Sequence, residues 1–283
     1  GPACLPTEVL KDIRREFVNY QDSGMSIIEM SHRDAGGPTQ NCITESEALI
    51  REMADVPDNY HVLFFAGGAH GQFAGIPMNL AHENNKVDIL DMGVWTKRAM
   101  TEAVKSCDVN VPYTCTTTMD DPSKWNYRKD AAYVHICMNE TISGLEILED
   151  PTMPADAPPL VADATSTFLS RPMDISKYGV VYASAGKNFG PAGVTIVIVR
   201  DDLVKRTPHP MTPGILSLQE AVKSVPIHSI YNTPPVFQIY STMKILRWVK
   251  EKGGLQAMER QAKRRAGRMY EIIDNSRGFY TNE

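Results

Sequence analysis

The chain has 283 residues, 42% of them hydrophobic, and a formal net charge of −5. That length suits one large domain or two smaller ones, with apolar surface enough for a sizeable core. The acidic balance argues against nucleic acid as the main partner, and no apolar run approaches the ~18 residues of a membrane span.

The elements follow in chain order. Residues 8–20 carry Val9, Leu10, Ile13 and Phe17 at helical spacing, with Thr7 expected as the cap. "TESE" at 44–47 reads as a capping box ahead of "ALIREMA". "HVLFFA" then reads as a short buried strand that meets the turn "GGAHG" and continues into a helix through "QFAGIPMNL". A helix is expected from Thr96 through "TKRAMTEAVKSC". "AYVHICM", "PLVADA", "GVVYAS" and "VTIVIV" are short apolar runs of the kind required by a sheet covered on both faces. The helix "VFQIYSTMKILRWVKEK" has Pro234 and Pro235 before it and Gly253 after it. "LQAMERQAKRRAGRMYEIID" is a last long helix, whose basic run Lys263 to Arg268 reads as a solvated face.

Strands mixed with helices at this spacing predict an α/β fold with a mostly parallel sheet. Ligands of such sheets sit at the carboxyl ends of the strands. The cysteines are Cys4, Cys42, Cys107, Cys115 and Cys137. No two stand at metal-ligand spacing, so no metal is expected, and an odd number fits reduced thiols. With no charged-then-apolar leader at the start, a cytoplasmic protein is expected.

The stretch "SAGKNFGPAG", from Ser184, sets Lys187 among glycines and small residues. It is not a nucleotide phosphate loop, because Val181 stands where the first glycine is needed and Asn188 follows the lysine. Lysine can also bond covalently to an aldehyde cofactor. Pyridoxal phosphate needs that lysine, an acid beside its ring nitrogen, a flat partner for its ring and donors for its phosphate. Asp163 at the end of "PLVAD", Trp95, and the turn Ala66 to Gly71 are candidates for the last three. Taken singly, each has a plainer reading: a turn acid, a core tryptophan, a tight connection, a solvated lysine.

The motifs "MSHR", "NETISG" and "YNTPP", with "GPACLPTEVL", "DMGVWTKRA" and "LVADATSTFLSRPMDISKYGVVYASAGKNFGPAGVTIVIV", resemble the phosphoserine aminotransferase family of fold-type I pyridoxal-phosphate enzymes. They run in the family's order over nearly the whole chain. The resemblance implies a mostly parallel mixed sheet flanked by helices in a large domain over 1–250. It also implies that 251–283 begins a small C-terminal domain that is truncated at "SRGFYTNE", without the arginine that domain supplies for a substrate carboxylate.

The same resemblance implies the site. Lys187 would bond the cofactor and move the proton. Asp163 would pair with the ring nitrogen, Trp95 would stack, and Thr141 would bond the ring's 3-oxygen. Ala69 and His70 would bind the cofactor phosphate through backbone N–H groups. Asn232 and Thr233 would reach the phosphate in the neighbouring subunit, which implies a homodimer with shared sites. His32 and Arg33, with His70, would hold the distal phosphate or carboxylate of small-molecule substrates.

Four departures stand out. Gly186 replaces a glutamine that bonds the cofactor phosphate, a loss of about 1.5–3 kcal/mol. "DAGGP" follows "SHR" where a polar helical segment is usual, His70 stands where some members have arginine, and the chain ends early. The implied activity is transamination between glutamate and 3-phosphooxypyruvate in serine biosynthesis. The alternative is a non-catalytic, pyridoxal-phosphate-binding homologue that has lost its substrate clamp. A desulfurase is a weaker option, since no cysteine stands in an evident catalytic loop.

Overall fold

The computed structural model describes residues 2–115, 117–225 and 227–281. Helix α1 (Thr7–Glu16) leads into α2 (Pro38–Met53), β1 (Tyr60–Phe65), α3 (Gly68–Leu80), β2 (Lys86–Ile89), α4 (Val94–Ala103) and β3 (Asp108–Asn110). Next come β4 (Val134–Cys137), the small hairpin β5 (Asn139–Glu140) and β6 (Leu145–Glu146), β7 (Leu160–Asp163), β8 (Val180–Ser184) and β9 (Thr195–Arg200). Helices α5 (Asp201–Val204), α6 (Leu218–Lys223), α7 (Val236–Glu251) and α8 (Gly254–Asp274) complete the order.

The main sheet has the strand order β1-β9-β8-β7-β4-β2-β3. Strand β9 is antiparallel to both neighbours, and the pairs from β8 through β3 are parallel. The expected mostly parallel sheet is therefore present, and β1, β2, β4, β7 and β8 all point their carboxyl ends the same way.

Alternation along the strands separates two cores. Val62, Ile136, Ala162, Val181 and Ile198 face one side, where α2 and α7 pack together and α1 packs on α7. Leu63, Val87, Val161, Val180 and Val199 face the other, under α3 and α4. Burial on both faces explains why β1, β4, β7, β8 and β9 read as continuous apolar runs.

Several expected boundaries move. Thr7 is the first residue of α1, Pro6 is its cap, and no side-chain cap bond forms. The α-helix ends at Glu16, and Tyr20 lies in a separate 3-10 turn. The "TESE" box lies inside α2, which opens two turns earlier with Gly37 as cap and Pro38 at its first position. There Ser46 bonds back to the Cys42 carbonyl at 2.7 Å and Glu47 pairs with Arg51 at 2.9 Å. A proline whose fixed φ suits the first turn sets the start in place of the threonine. Helix α4 likewise begins at Val94, with Gly93 as cap.

Strands β2 and β3 were not expected from the sequence. Their "KVDI" and "DVN" carry charge, and Asp88 is fully buried. Arg128 reconciles that burial: its Nε bonds Asp88 at 2.8 Å and its Nη1 bonds Asp108 at 2.6 Å. Its Nη2 donates to the Val87 carbonyl at 2.8 Å. One guanidinium thus clips the edge strand to its neighbour, and the hydrogen bonds offset the desolvation of the carboxylate.

Candidate active site

The candidate residues follow the carboxyl ends of the parallel strands. The turn after β1 opens α3, with Gly67 as its cap. The first bond of that helix runs from Gly71 N–H to the Gly67 carbonyl at 3.1 Å. The N–H groups of Gly68, Ala69 and His70 precede it and have no intrahelical acceptor, so they form the positive end of a helix. A side chain at Gly68 would come within 3.2 Å of Ser184 Oγ. The turn therefore lies against the end of β8, three residues before Lys187.

Trp95 lies in the first turn of α4. Lys187 Nζ stands 6.0 Å from its ring centroid. Its indole Nε1 donates to Thr141 Oγ1 at 3.0 Å, leaving the threonine's own hydroxyl hydrogen free to donate. His70 meets the same ring edge-on at 6.4 Å.

Asp163 ends β7, buried between Cys137 and Tyr182 on the neighbouring strands. Burial raises its pKa, and this is the largest effect. The Thr165 side chain and backbone, then the positive fields of Lys187 and His70, pull it back. Its Oδ1 accepts from Thr165 N–H at 2.9 Å, and no cation lies in ion-pair contact with it among the described residues. A buried carboxylate with that environment suits a cationic N–H in the cavity, because pairing removes the desolvation cost.

The lysine loop is held by backbone. Gly186 N–H donates to the Gly190 carbonyl at 2.7 Å, and the Gly186 carbonyl accepts from Ala3 N–H at 3.0 Å. Its φ of +107° lies where side-chain-bearing residues are strained. The loop's own course thus favours glycine at 186. Asn188 Nδ2 donates to the Phe168 carbonyl at 2.9 Å, closing the loop onto the segment after β7.

The remaining candidates form a second group. His32, Arg33, Tyr231 and Asn232 line a cleft of about 280 Å³. Asn232 and Thr233 also line a cleft of about 320 Å³ that reaches Ala66 and Gly67 at the turn that opens α3. His32 and Arg33 therefore keep company with Asn232, not with Lys187. "DAGGP" forms a turn that delivers Pro38 to the start of α2.

Two site residues carry no signal in the sequence reading. Glu140 is fully buried. Its Oε2 accepts from Trp95 N–H at 2.9 Å and its Oε1 from Ile142 N–H at 3.1 Å. Arg98 Nη1 lies 3.1 Å from His70 Nε2, and its guanidinium stands 5.2 Å from the Trp95 ring centroid. The i,i+3 spacing of Trp95 and Arg98 on one helix was the available clue.

The donor set fits a phosphate-bearing aldehyde cofactor with a basic ring nitrogen: an amine, an aromatic face, a buried acid and a cradle of N–H groups. No group of His, Cys, Asp and Glu suited to a metal occurs among the described residues. No helix among them is long and apolar enough to cross a membrane.

The family model for aminotransferase class-V matches residues 1–283, and the chain belongs to that family. A phosphoserine aminotransferase of Hahella chejuensis is 43% identical over 289 residues, covering 100% of this chain and 77% of that protein. The phosphoserine aminotransferase structure from Bacillus circulans subsp. alkalophilus matches with a TM-score of 0.92 at 40% identity, over 99% of this chain and 76% of that one. A PLP-bound phosphoserine aminotransferase from Trichomonas vaginalis matches with a TM-score of 0.89 at 38% identity, over 97% and 76%. The fold-type I architecture expected from the motifs is thus shared with these structures, and the chain spans about three quarters of their length.

Proposed function

We propose that the chain is a phosphoserine aminotransferase that uses pyridoxal phosphate to move an amino group between glutamate and 3-phosphooxypyruvate, yielding O-phosphoserine for serine synthesis. The observation that carries this is Lys187 Nζ at 6.0 Å from the Trp95 ring, in the field of the buried Asp163. When bound, the cofactor supplies an electrophilic carbonyl carbon and a ring that stabilises negative charge at the substrate's α-carbon.

The protein's groups do the rest. Lys187 Nζ removes the proton from the substrate α-carbon and returns it, as general base and acid. Asp163 would hold the ring nitrogen protonated, a pairing that would relieve its own burial. Trp95 would cover the ring, and Thr141 would donate to its oxygen. The N–H groups of Ala69 and His70 would hold the cofactor phosphate, and Gly186 would offer backbone alone.

A homodimer with shared sites supports the second group of residues. Asn232 and Thr233 serve the cofactor phosphate of the partner. Since His32 and Arg33 line the same cleft as Asn232, they too serve the partner's site, where cationic and imidazole donors suit a distal phosphate or carboxylate. Residues 1–250 form the large domain and α8 belongs to a second one, in a cytoplasmic enzyme. The non-catalytic alternative is not favoured, because the amine, acid, aromatic and N–H cradle are all retained.

The test is direct. Purified protein should take up pyridoxal phosphate with a visible absorption band, and glutamate should bleach it with release of 2-oxoglutarate. Lys187→Ala should abolish both. Retention of the band in that variant would sink the proposal.

A further inference from the structure

Arg98 is an exposed guanidinium that faces an imidazole and an indole instead of a carboxylate. Its Nη1 lies 3.1 Å from His70 Nε2 and its Cζ 5.2 Å from the Trp95 centroid. It makes no ion pair among the described residues, in contrast to Lys97 beside it, which pairs with Asp91 at 3.4 Å. Arginine only donates, so His70 Nε2 must accept and the histidine's proton sits on Nδ1.

The carboxylates nearby, Glu140 on the Trp95 N–H and Asp163 in the field of Lys187, are both buried. On the exposed rim, Arg98 and the open N–H end of α3, which carries His70, bring positive potential, and Arg98 has no ion-pair partner among the described residues. Like potentials held close together without a counter-charge are unfavourable. An anion between them removes that cost. The backbone N–H groups of the turn suit the cofactor phosphate, which leaves the guanidinium on the exposed rim for a second anion.

We propose that Arg98 binds the distal phosphate of the phosphorylated substrate and so sets the preference for phosphate esters. This rests on the functional reading above and adds a residue to it. His70 acts as the arm that orients the guanidinium, and Trp95 as the plate on which it lies.

The test uses the cofactor-loaded protein and D-3-phosphoglycerate, a phosphate ester with no amino or keto group to react. Calorimetry of Arg98→Met should show its Kd raised about tenfold or more, the loss of one charge-assisted contact. The KM for O-phospho-L-serine should rise more than that for glutamate. Pyridoxal phosphate affinity of the apoprotein, read by Trp fluorescence, should stay within about twofold. Adding His70→Arg to Arg98→Met returns a guanidinium to the neighbouring position and should recover most of the binding. Arg98→Lys, which keeps the charge, should lose less than Arg98→Met. Unchanged D-3-phosphoglycerate binding in Arg98→Met overturns the proposal. So does an equal loss of pyridoxal phosphate affinity, or a deficit that His70→Arg fails to repair. A wild-type protein that neither binds pyridoxal phosphate nor transaminates overturns the functional reading itself, before any variant is made.

Discussion

Glu140 holds Trp95 by its backbone: one carboxylate oxygen accepts the Trp95 N–H at 2.9 Å while the other accepts Ile142 N–H at 3.1 Å. The acid thus fixes the ring that faces Lys187 and the turn that carries Thr141, from a fully buried position. Glu140→Ala removes the acceptor of two part-buried N–H donors and should cost about 1–3 kcal/mol. Glu140→Gln keeps one good acceptor and should cost roughly half of that. Urea midpoints of the two variants check the order, and a smaller loss for alanine than for glutamine would contradict it.

Gly93 is the companion of that acid. Its φ is +135°, and a Cβ there would fall 2.8 Å from Glu140 Cγ and Oε2. Gly93→Ala should therefore destabilise by about 2–4 kcal/mol, combining backbone strain with overpacking. Near-UV circular dichroism should change as well, because Trp95 sits on the displaced segment.

His135 makes acid sensitivity predictable. It is buried, bonded through Nε2 to Tyr182 OH at 2.7 Å, and its Nδ1 has no partner among the described residues. Phe73 packs edge-on against it at 6.5 Å. Burial pushes its pKa from 6.5 down to about 3. Between those values the unfolded chain binds the proton and the folded one does not, so stability falls as pH falls through that window. The slope contributed is about 1.4 kcal/mol per pH unit. His135→Phe should flatten the stability profile below pH 6.5, which thermal melts across pH would reveal; an unaltered slope would refute it.

Asp163 behaves in the opposite sense. Burial raises its folded pKa, so the native apoprotein holds the proton more tightly than the unfolded chain. Its penalty grows as pH rises from the unfolded value to the folded one and stays in full above it. Asp163→Asn should make the apoprotein more stable at neutral pH while weakening transamination. Reduced apoprotein stability at neutral pH would argue against this account.

The proposed homodimer with shared sites can be tested by mixing chains. Lys187→Ala and Arg33→Ala should each be impaired alone. After unfolding and refolding together, hybrid dimers carry one site with both residues intact. Statistical mixing then restores about one quarter of the sites. No recovery would place Arg33 in the same subunit's site as its Lys187.

Much of the fold was legible because five strands are buried on both faces and show it as unbroken apolar runs. Strands β2 and β3 were not legible, because Arg128 supplies the partner that lets Asp88 and Asp108 lie there, and that partner is 40 residues from Asp88. Helix starts failed where a local threonine signal competed with Pro6, Pro38 or Gly93. For the site, residue types suggested Lys187, Asp163 and Trp95, and family motifs gave the rest their roles. Glu140 and Arg98 escaped because their meaning lies in contacts with Trp95 and His70, which sequence neighbours do not disclose. The company of His32 and Arg33 with Asn232 was invisible for the same reason.

The pairing of β1 with β9, Phe65 opposite Thr195, has a consequence for biosynthesis. The turn that follows Phe65 is made early, yet it meets the lysine loop only after the strand at 195–200 has been translated and inserted between β1 and β8. A ribosome-bound nascent chain shorter than that cannot hold the two against each other. If the proposed cofactor is taken up, acquisition of colour during synthesis would mark the closing of the sheet.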